Sequence, residues 1–329
     1  MSKVILPRRE FLAIAGSALA ASAVPFSRAW AAEPINFGFQ NTSWGTIGMI
    51  CETEGLFKKA NADVKVFTFD SGKTTRDAMI SGRIGIGVLG ATPFIIGAAK
   101  GQMEAIALAL YGSKTLSVVA GTKSGIKSVK DLKGHRVGSQ LGSTTDFVFQ
   151  NKILPKAGLS KNDVQIVNVR FQNQVSALAA GSIDAFAGVE PFPSVAEVEG
   201  LGKVLTDYSD YDLQPVILAA NTNVVKKQRD EVIAFLRGWL AGVKVFNQNR
   251  DKAVQIVLDH FKSQGFSVDA RVIKLMLSKI DVSPEMKPQL QKYLTTESAI
   301  LMKQHKIAAS PDWDKLLNRS LLKAAEGKS

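Results

Sequence analysis

The residue types that most often carry chemistry are present in this chain, but their spacing does not assemble a reactive centre. Gly85, Gly87 and Gly90 spell Gly-x-Gly-x-x-Gly, with Glu104 at about the distance of a ribose-binding acid. That is the pattern of a strand-to-helix turn that cradles a dinucleotide pyrophosphate. Such a cradle needs a buried strand just before the first glycine, whereas Ser81, Gly82 and Arg83 stand there and the apolar residues lie among the glycines themselves. The three glycines are read instead as permissive positions in a short strand. Gly72-Lys73-Thr74 has the ending of a phosphate-binding P-loop, but the opening glycine would fall at position 67, which is Phe67. His135, His260 and His305 are scattered and form neither His-Glu-x-x-His nor a His-Asp cluster. There is no Gly-x-Ser-x-Gly elbow for a hydrolase nucleophile. Cys51 is the single cysteine, so neither a multi-thiolate zinc site nor a disulfide framework can form, and it is read as a small buried hydrophobe. Catalytic, metal and cofactor assignments are therefore none, and the chain is expected not to be an enzyme.

A recurrent pattern is more informative. Four β-prone runs each end in a short polar loop with Ser or Thr just ahead of a helical stretch. Phe39-Gln40 leads to Asn41-Thr42-Ser43-Trp44, and Phe67-Thr68-Phe69 leads to Asp70-Ser71-Gly72. Val88-Leu89 leads to Gly90-Ala91-Thr92, and Val137-Gly138 leads to Gly142-Ser143-Thr144-Thr145. A hydroxyl in such a place can cap the orphan N–H groups of the helix and do nothing more. Open α/β sheets, however, bind ligands at the carboxyl ends of their strands, where free N–H groups and the positive end of the helix dipole attract anionic oxygen. A small anion bound without chemistry is the expectation.

The elements that must position these loops follow from the apolar rhythm. A chain of 329 residues with 46% apolar and 21% charged content is long enough for two globular domains with real cores. Strands are expected at 35–40, 64–69, 84–89, 106–111, 117–121, 136–139, 165–169, 185–189 and 216–220. Helices are expected between them at 45–57, 74–80, 93–100, 145–157 and 174–180, the alternation of βαβ units on a largely parallel sheet. After residue 223 the strands stop, and Val232, Leu236, Trp239, Leu240, Val243 and Phe246 mark the apolar face of a long helix. Helical segments continue at 252–261, 270–279, 284–303 and 313–324. A helical tail of that length cannot belong to a single doubly wound sheet, which leaves two α/β lobes, one of them discontinuous.

The N-terminal segment stands apart from this plan. Pro7-Arg8-Arg9-Glu10-Phe11-Leu12-Ala13 resembles the twin-arginine export motif, a mildly apolar Ala-rich stretch follows, and Ala29-Trp30-Ala31 is a small-residue cleavage site. Residues 1–31 are thus expected to be a signal peptide cleaved after Ala31, delivering the protein to the periplasm. Lys3, Arg8, Arg9 and Arg28 against Glu10 account for part of the net charge of +12, leaving +9 on the rest. Those remaining basic residues are spread over helix faces and turns, so a nucleic-acid or membrane-surface partner is not expected. No apolar run reaches the roughly 18 residues of a spanning helix. Twin-arginine export together with the glycine pattern does keep a periplasmic oxidoreductase as the alternative of another class.

The chain then resembles a known family, the periplasmic solute-binding proteins of ABC importers, within the nitrate, sulfonate and taurine group. The resemblance spans residues 35–225 and rests on Asn36-Phe37-Gly38-Phe39-Gln40, Glu54-Gly55-Leu56-Phe57-Lys58-Lys59 and Ala78-Met79-Ile80-Ser81-Gly82. It continues through Ile126-Lys127-Ser128-Val129-Lys130-Asp131-Leu132-Lys133-Gly134, Ala157-Gly158-Leu159-Ser160 and Ala179-Ala180-Gly181-Ser182-Ile183-Asp184-Ala185. It implies the two-lobed periplasmic-binding-protein fold (type II), an α/β architecture with mainly parallel sheets flanked by helices. The first lobe would comprise 32–120 and 221–329, with the helical C-terminal tail on it, and the second lobe 121–220. Crossing strands at 117–121 and 216–220 would form the hinge.

The resemblance also implies a ligand cleft lined by Ser43, Trp44, Ser71, Gly72 and Thr92 from the first lobe and by Ser143 and Thr144 from the second. Glu190 would face them, either accepting from the ligand or anchoring an arginine such as Arg170. Sulfonate binders often carry Asp where this chain has Ala91, and the family's Trp-Asp-Pro is here Val189-Glu190-Pro191. That loss disfavours an amine-bearing ligand such as taurine. The implied solute is a small organic anion, an aliphatic sulfonate first, with nitrate, an aromatic carboxylate or a pyrimidine as alternatives. The implied partner is a cognate permease with its ATPase at the inner membrane, served by a monomer.

Overall fold

The nearly continuous apolar runs of the central strands demand cover on both faces, and they receive it. The computed structural model describes residues 33–328, so the export motif and cleavage site lie outside the described residues. The first sheet contains β1 (Ile35–Gln40), β2 (Val64–Phe69), β3 (Ile86–Gly90), β4 (Met103–Tyr111) and β10 (Pro215–Asn221). The second contains β5 (Leu116–Gly121), β6 (Arg136–Ser139), β7 (Gln165–Asn168), β8 (Ala185–Val189) and β9 (Gly202–Asp207). Their orders are β2-β1-β3-β10-β4 and β7-β6-β8-β5-β9. In the first sheet β10 runs against the other strands, and in the second β5 does, so each is mainly parallel with one reversed strand. Helices flank both sheets, and the two-lobed α/β fold expected from the sequence is the one observed.

The passages between the sheets lie a few residues away from where the sequence places them. Residues expected as crossing strands, Ser117 to Gly121 and Val216 to Ala220, are paired on both edges inside their own sheets. A buried strand hydrogen-bonded on both sides cannot flex, and the chain instead crosses at 112–115 and 208–214. These two passages are tied together, with Gly112 N donating to Gln214 O (2.8 Å) and Tyr208 N to Ser113 O (3.2 Å).

Two further differences have local causes. β9 is absent from the sequence reading because Lys203 and Asp207 interrupt a partly exposed strand at the sheet edge. The helix expected over 45–57 is broken into Thr46–Thr53 and Leu56–Lys59 by Gly55, whose φ of 61° leaves the right-handed region.

The helical tail seats on the first lobe through its aromatic face. The helix Arg229–Gln248 buries Phe235 and Trp239, and Phe235 stacks on Phe57 (4.6 Å) and meets Phe37 edge-on (5.0 Å). Gly242 permits the approach, since a Cβ there would stand 2.4 Å from Cys51 Sγ. Burial pushes the Cys51 thiol far up, which keeps it an inert core residue. The tail also reaches the second lobe, where Lys152 pairs with Glu297 and Lys279 with Glu190.

Candidate functional site

Between the lobes lies a narrow cavity of about 10 Å³ whose walls come from equivalent places in the two sheets. From the first lobe, Gln40 ends β1, Ser71 and Gly72 follow β2, and Gly90 ends β3, while Trp44 and Pro93 come from the turns of helix just beyond. From the second, Ser143, Thr144 and Thr145 follow β6, Phe171 follows β7, and Val189 ends β8. Every one of these strands is parallel to its neighbours in the set, so the cavity collects carboxyl ends of strands and amino ends of helices.

The loops are fixed by short hydrogen-bond systems. Ser71 caps the helix Gly72–Ile80: its Oγ accepts from Thr74 N (3.4 Å), and its own N donates to Thr74 Oγ1 (3.2 Å). Ser143 Oγ accepts from Asp146 N (3.1 Å) at the start of Thr144–Val148. Asp146 in turn gathers Ser139 Oγ (2.9 Å), Gly142 N (3.0 Å) and Gln150 Nε2 (2.6 Å), which fixes the loop. Gly90 heads the helix Ala91–Ala98 with no side-chain cap. A Cβ at Gly90 would stand 2.3 Å from Thr144 Oγ1 and 2.9 Å from the Trp44 ring, so the lobes close on each other here and only glycine fits. The Trp44 indole is held by a bond from Nε1 to Thr115 Oγ1 (3.0 Å) in the passage between the sheets.

The unsatisfied polar atoms point to what the cavity can do. Thr144 Oγ1 is buried without a protein partner. Gln40 donates through Nε2 to Val88 O and Thr75 Oγ1 (both 2.6 Å), which leaves its buried Oε1 also without a protein partner. Such groups are costly unless something else satisfies them. Among the described residues, no Asp, Glu, Lys or Arg is part of the walls. The site can therefore hold a small group through hydroxyls and backbone N–H dipoles, with Trp44, Pro93, Phe171 and Val189 against its apolar part. Among the described residues there is no group of His, Cys, Asp or Glu able to hold a metal ion.

Of the residues singled out in the sequence, Trp44, Ser71, Gly72, Ser143 and Thr144 meet at the cavity. Ser43, Thr92 and Glu190 are buried but are not among its walls. Ser43 N donates to Glu190 O (2.9 Å), joining the lobes behind Trp44. Glu190 directs Oε1 to Lys279 Nζ (2.5 Å) and accepts from Ser194 N (3.3 Å). Burial pushes the Glu190 carboxyl above the usual range, against the opposing pull of Lys279. Arg170 is not its partner; it pairs across the cleft with Asp70 (3.4 Å).

Gln40 and Phe171 are walls that the sequence reading missed. A polar residue ending an otherwise buried strand was the available signal for Gln40. Phe171 belongs to a fifth strand-loop-helix unit, β7 to Gln174–Ala179, whose loop has no Ser or Thr to betray it.

Comparison with known proteins agrees with this architecture. The family described as NMT1/THI5 like matches residues 46–253. A putative aliphatic sulfonates-binding protein of Bacillus subtilis is 30% identical over 208 residues, 63% of this chain. The match spans 62% of that relative, less than two thirds of its length. The taurine-binding periplasmic protein of Escherichia coli is 31% identical over 163 residues, 48% of each chain. In structure, the alkanesulfonate-binding protein SsuA of Xanthomonas axonopodis pv. citri, bound to MOPS, superposes with a TM-score of 0.76 at 19% identity. It covers 87% of this chain and 98% of its own, a likeness of fold.

Proposed function

The chain belongs to the NMT1/THI5-like family, and from that premise we propose that it is the periplasmic substrate-binding component of an ABC importer. It captures a small organic anion, an aliphatic sulfonate, between its lobes and presents it to a cognate permease and ATPase at the inner membrane, acting as a monomer. The observation that carries this reading is the cavity itself: strand ends from both lobes, uncharged walls, and the unpartnered Thr144 Oγ1. A sulfonate oxygen accepts from that hydroxyl and from the N–H groups at the Gly72 and Thr144 helix starts. A short alkyl body then packs on Trp44 and Phe171.

The amine of taurine finds no carboxylate among the walls, and Ala91 supplies none. Export through residues 1–31 accounts for the periplasmic setting. Five of the eight residues proposed from the sequence line the cavity in this reading, while Ser43 and Thr92 are buried outside its walls. Glu190 acts outside the cavity.

A thermal-shift panel of ethanesulfonate, taurine, nitrate, benzoate and a pyrimidine tests the proposal. A ligand at about 100 times its Kd stabilises by about 2.7 kcal/mol. Ethanesulfonate should give the largest shift, and stabilisation by nitrate or the pyrimidine alone would replace the sulfonate reading.

A further inference from the structure

Glu190 is a fully buried carboxylate placed one residue beyond Val189, a wall of the cavity, yet it is turned away from the cavity. Two parts of the first lobe grip it. Its carbonyl accepts from Ser43 N (2.9 Å), next to Trp44, and its carboxylate meets Lys279 Nζ (2.5 Å). Lys279 follows the helix Ala270–Ser278, and its backbone is tied to the first sheet close by. Tyr111 N donates to Asp281 O (2.9 Å), and Leu108 N donates to Pro284 O (3.0 Å), both along β4. The same contact is filled by Ser194, whose Oγ lies 3.4 Å from Lys279 Nζ, and by Phe192 packed edge-on against Phe266 (5.9 Å). Lys152 with Glu297 also joins the second lobe to the tail, whereas a third interlobe pair, Arg170 with Asp70, has side chains 71% and 45% exposed and is weakened by solvent.

We propose that Lys279 is a positioning residue for solute retention: by clasping Glu190 it fixes the closed angle between the lobes without touching the solute. The retention part of this proposal rests on the reading that the cavity holds a solute. A pair made only when two bodies close acts on the rate of leaving more than on the rate of arrival. The clasp also explains why an acidic residue beside the cavity repels no anion there: its charge is spent on Lys279.

The test measures the interlobe distance and the solute exchange rates in the full chain. Spin labels are placed at the exposed positions Lys65 and Lys161, one in each lobe, as Lys65→Cys and Lys161→Cys, with buried Cys51 left unlabelled. Lys279→Met should shift the distance distribution to longer values, and it should speed ethanesulfonate dissociation about tenfold with little change in association. Lys279→Arg should restore both, and Glu190→Gln should repeat the Met phenotype if the Met variant folds poorly. Wild-type distances and dissociation in both Lys279→Met and Glu190→Gln would overturn the clasp. Failure of the wild type to bind any solute would defeat the proposed function instead, while the distance shift would still judge the clasp.

Discussion

Ser71 in the first lobe and Ser143 in the second both cap a helix whose start borders the cavity, yet their loops are held by different means. The Ser71 loop is closed by hydroxyls, in a reciprocal box with Thr74. The Ser143 loop is closed by the side-chain carboxyl of Asp146, and the strand that delivers it, β6, is anchored at its other end by a second acidic side chain. There Asp184 accepts from Arg136 N (2.8 Å), Nε (3.1 Å) and Nη2 (2.6 Å). The first-lobe wall is thus part of a neutral core, while the second-lobe wall depends on charge. It also supplies the hydroxyl, Thr144 Oγ1, that is left for a ligand.

Substitutions can break or sharpen this contrast. The largest effect is expected from Gly90→Val, because even the first added carbon overlaps Thr144 Oγ1 and props the lobes apart. Affinity for ethanesulfonate should fall about a hundredfold, near 3 kcal/mol, with the fold intact by circular dichroism. Ser143→Ala combined with Thr144→Ala should cost about 1 to 3 kcal/mol of binding, and unchanged affinity would remove this loop from the site. Ser71→Ala should cost about 1 kcal/mol of stability through its lost cap and less of affinity, which a thermal melt with and without solute separates.

The smallest effect is a pH signature of the second lobe. Hydrogen bonds from Arg136 hold the Asp184 carboxyl below its ordinary value of 3.8. A depressed carboxylate pKa contributes stability above the unfolded value, and that stability is lost as pH falls through the folded value. Asp184→Asn should therefore lower Tm at neutral pH, and the gap from wild type should close below about pH 3.8.

The strand-loop-helix rhythm and the apolar face of Val232, Leu236, Trp239 and Phe246 were legible because they are local periodicities. Ser71 and Ser143 were legible for the same reason, since a capping residue is announced by its neighbours in sequence, and Trp44 was legible from its place in the same kind of strand-to-helix loop. What stayed hidden depends on distant partners. The sequence leaves Glu190 either as a ligand group or as the anchor of an arginine, and its partner is instead Lys279, 89 residues away. The crossing points were hidden because β5 and β10 are central strands whose pairing, rather than composition, rules out a hinge within them. Thr92 follows the same sequence pattern as Ser71, but the first helical turn directs Pro93 to the cavity in its place.

The central claim is that uncharged groups from both lobes bind a small anion that carries no amine. Titration calorimetry of the protein with ethanesulfonate and then with taurine tests it most directly. The account predicts one saturable site for ethanesulfonate and clearly weaker binding of taurine, the same anion with an added ammonium. Taurine binding as tight as ethanesulfonate, or no heat with either, would contradict it.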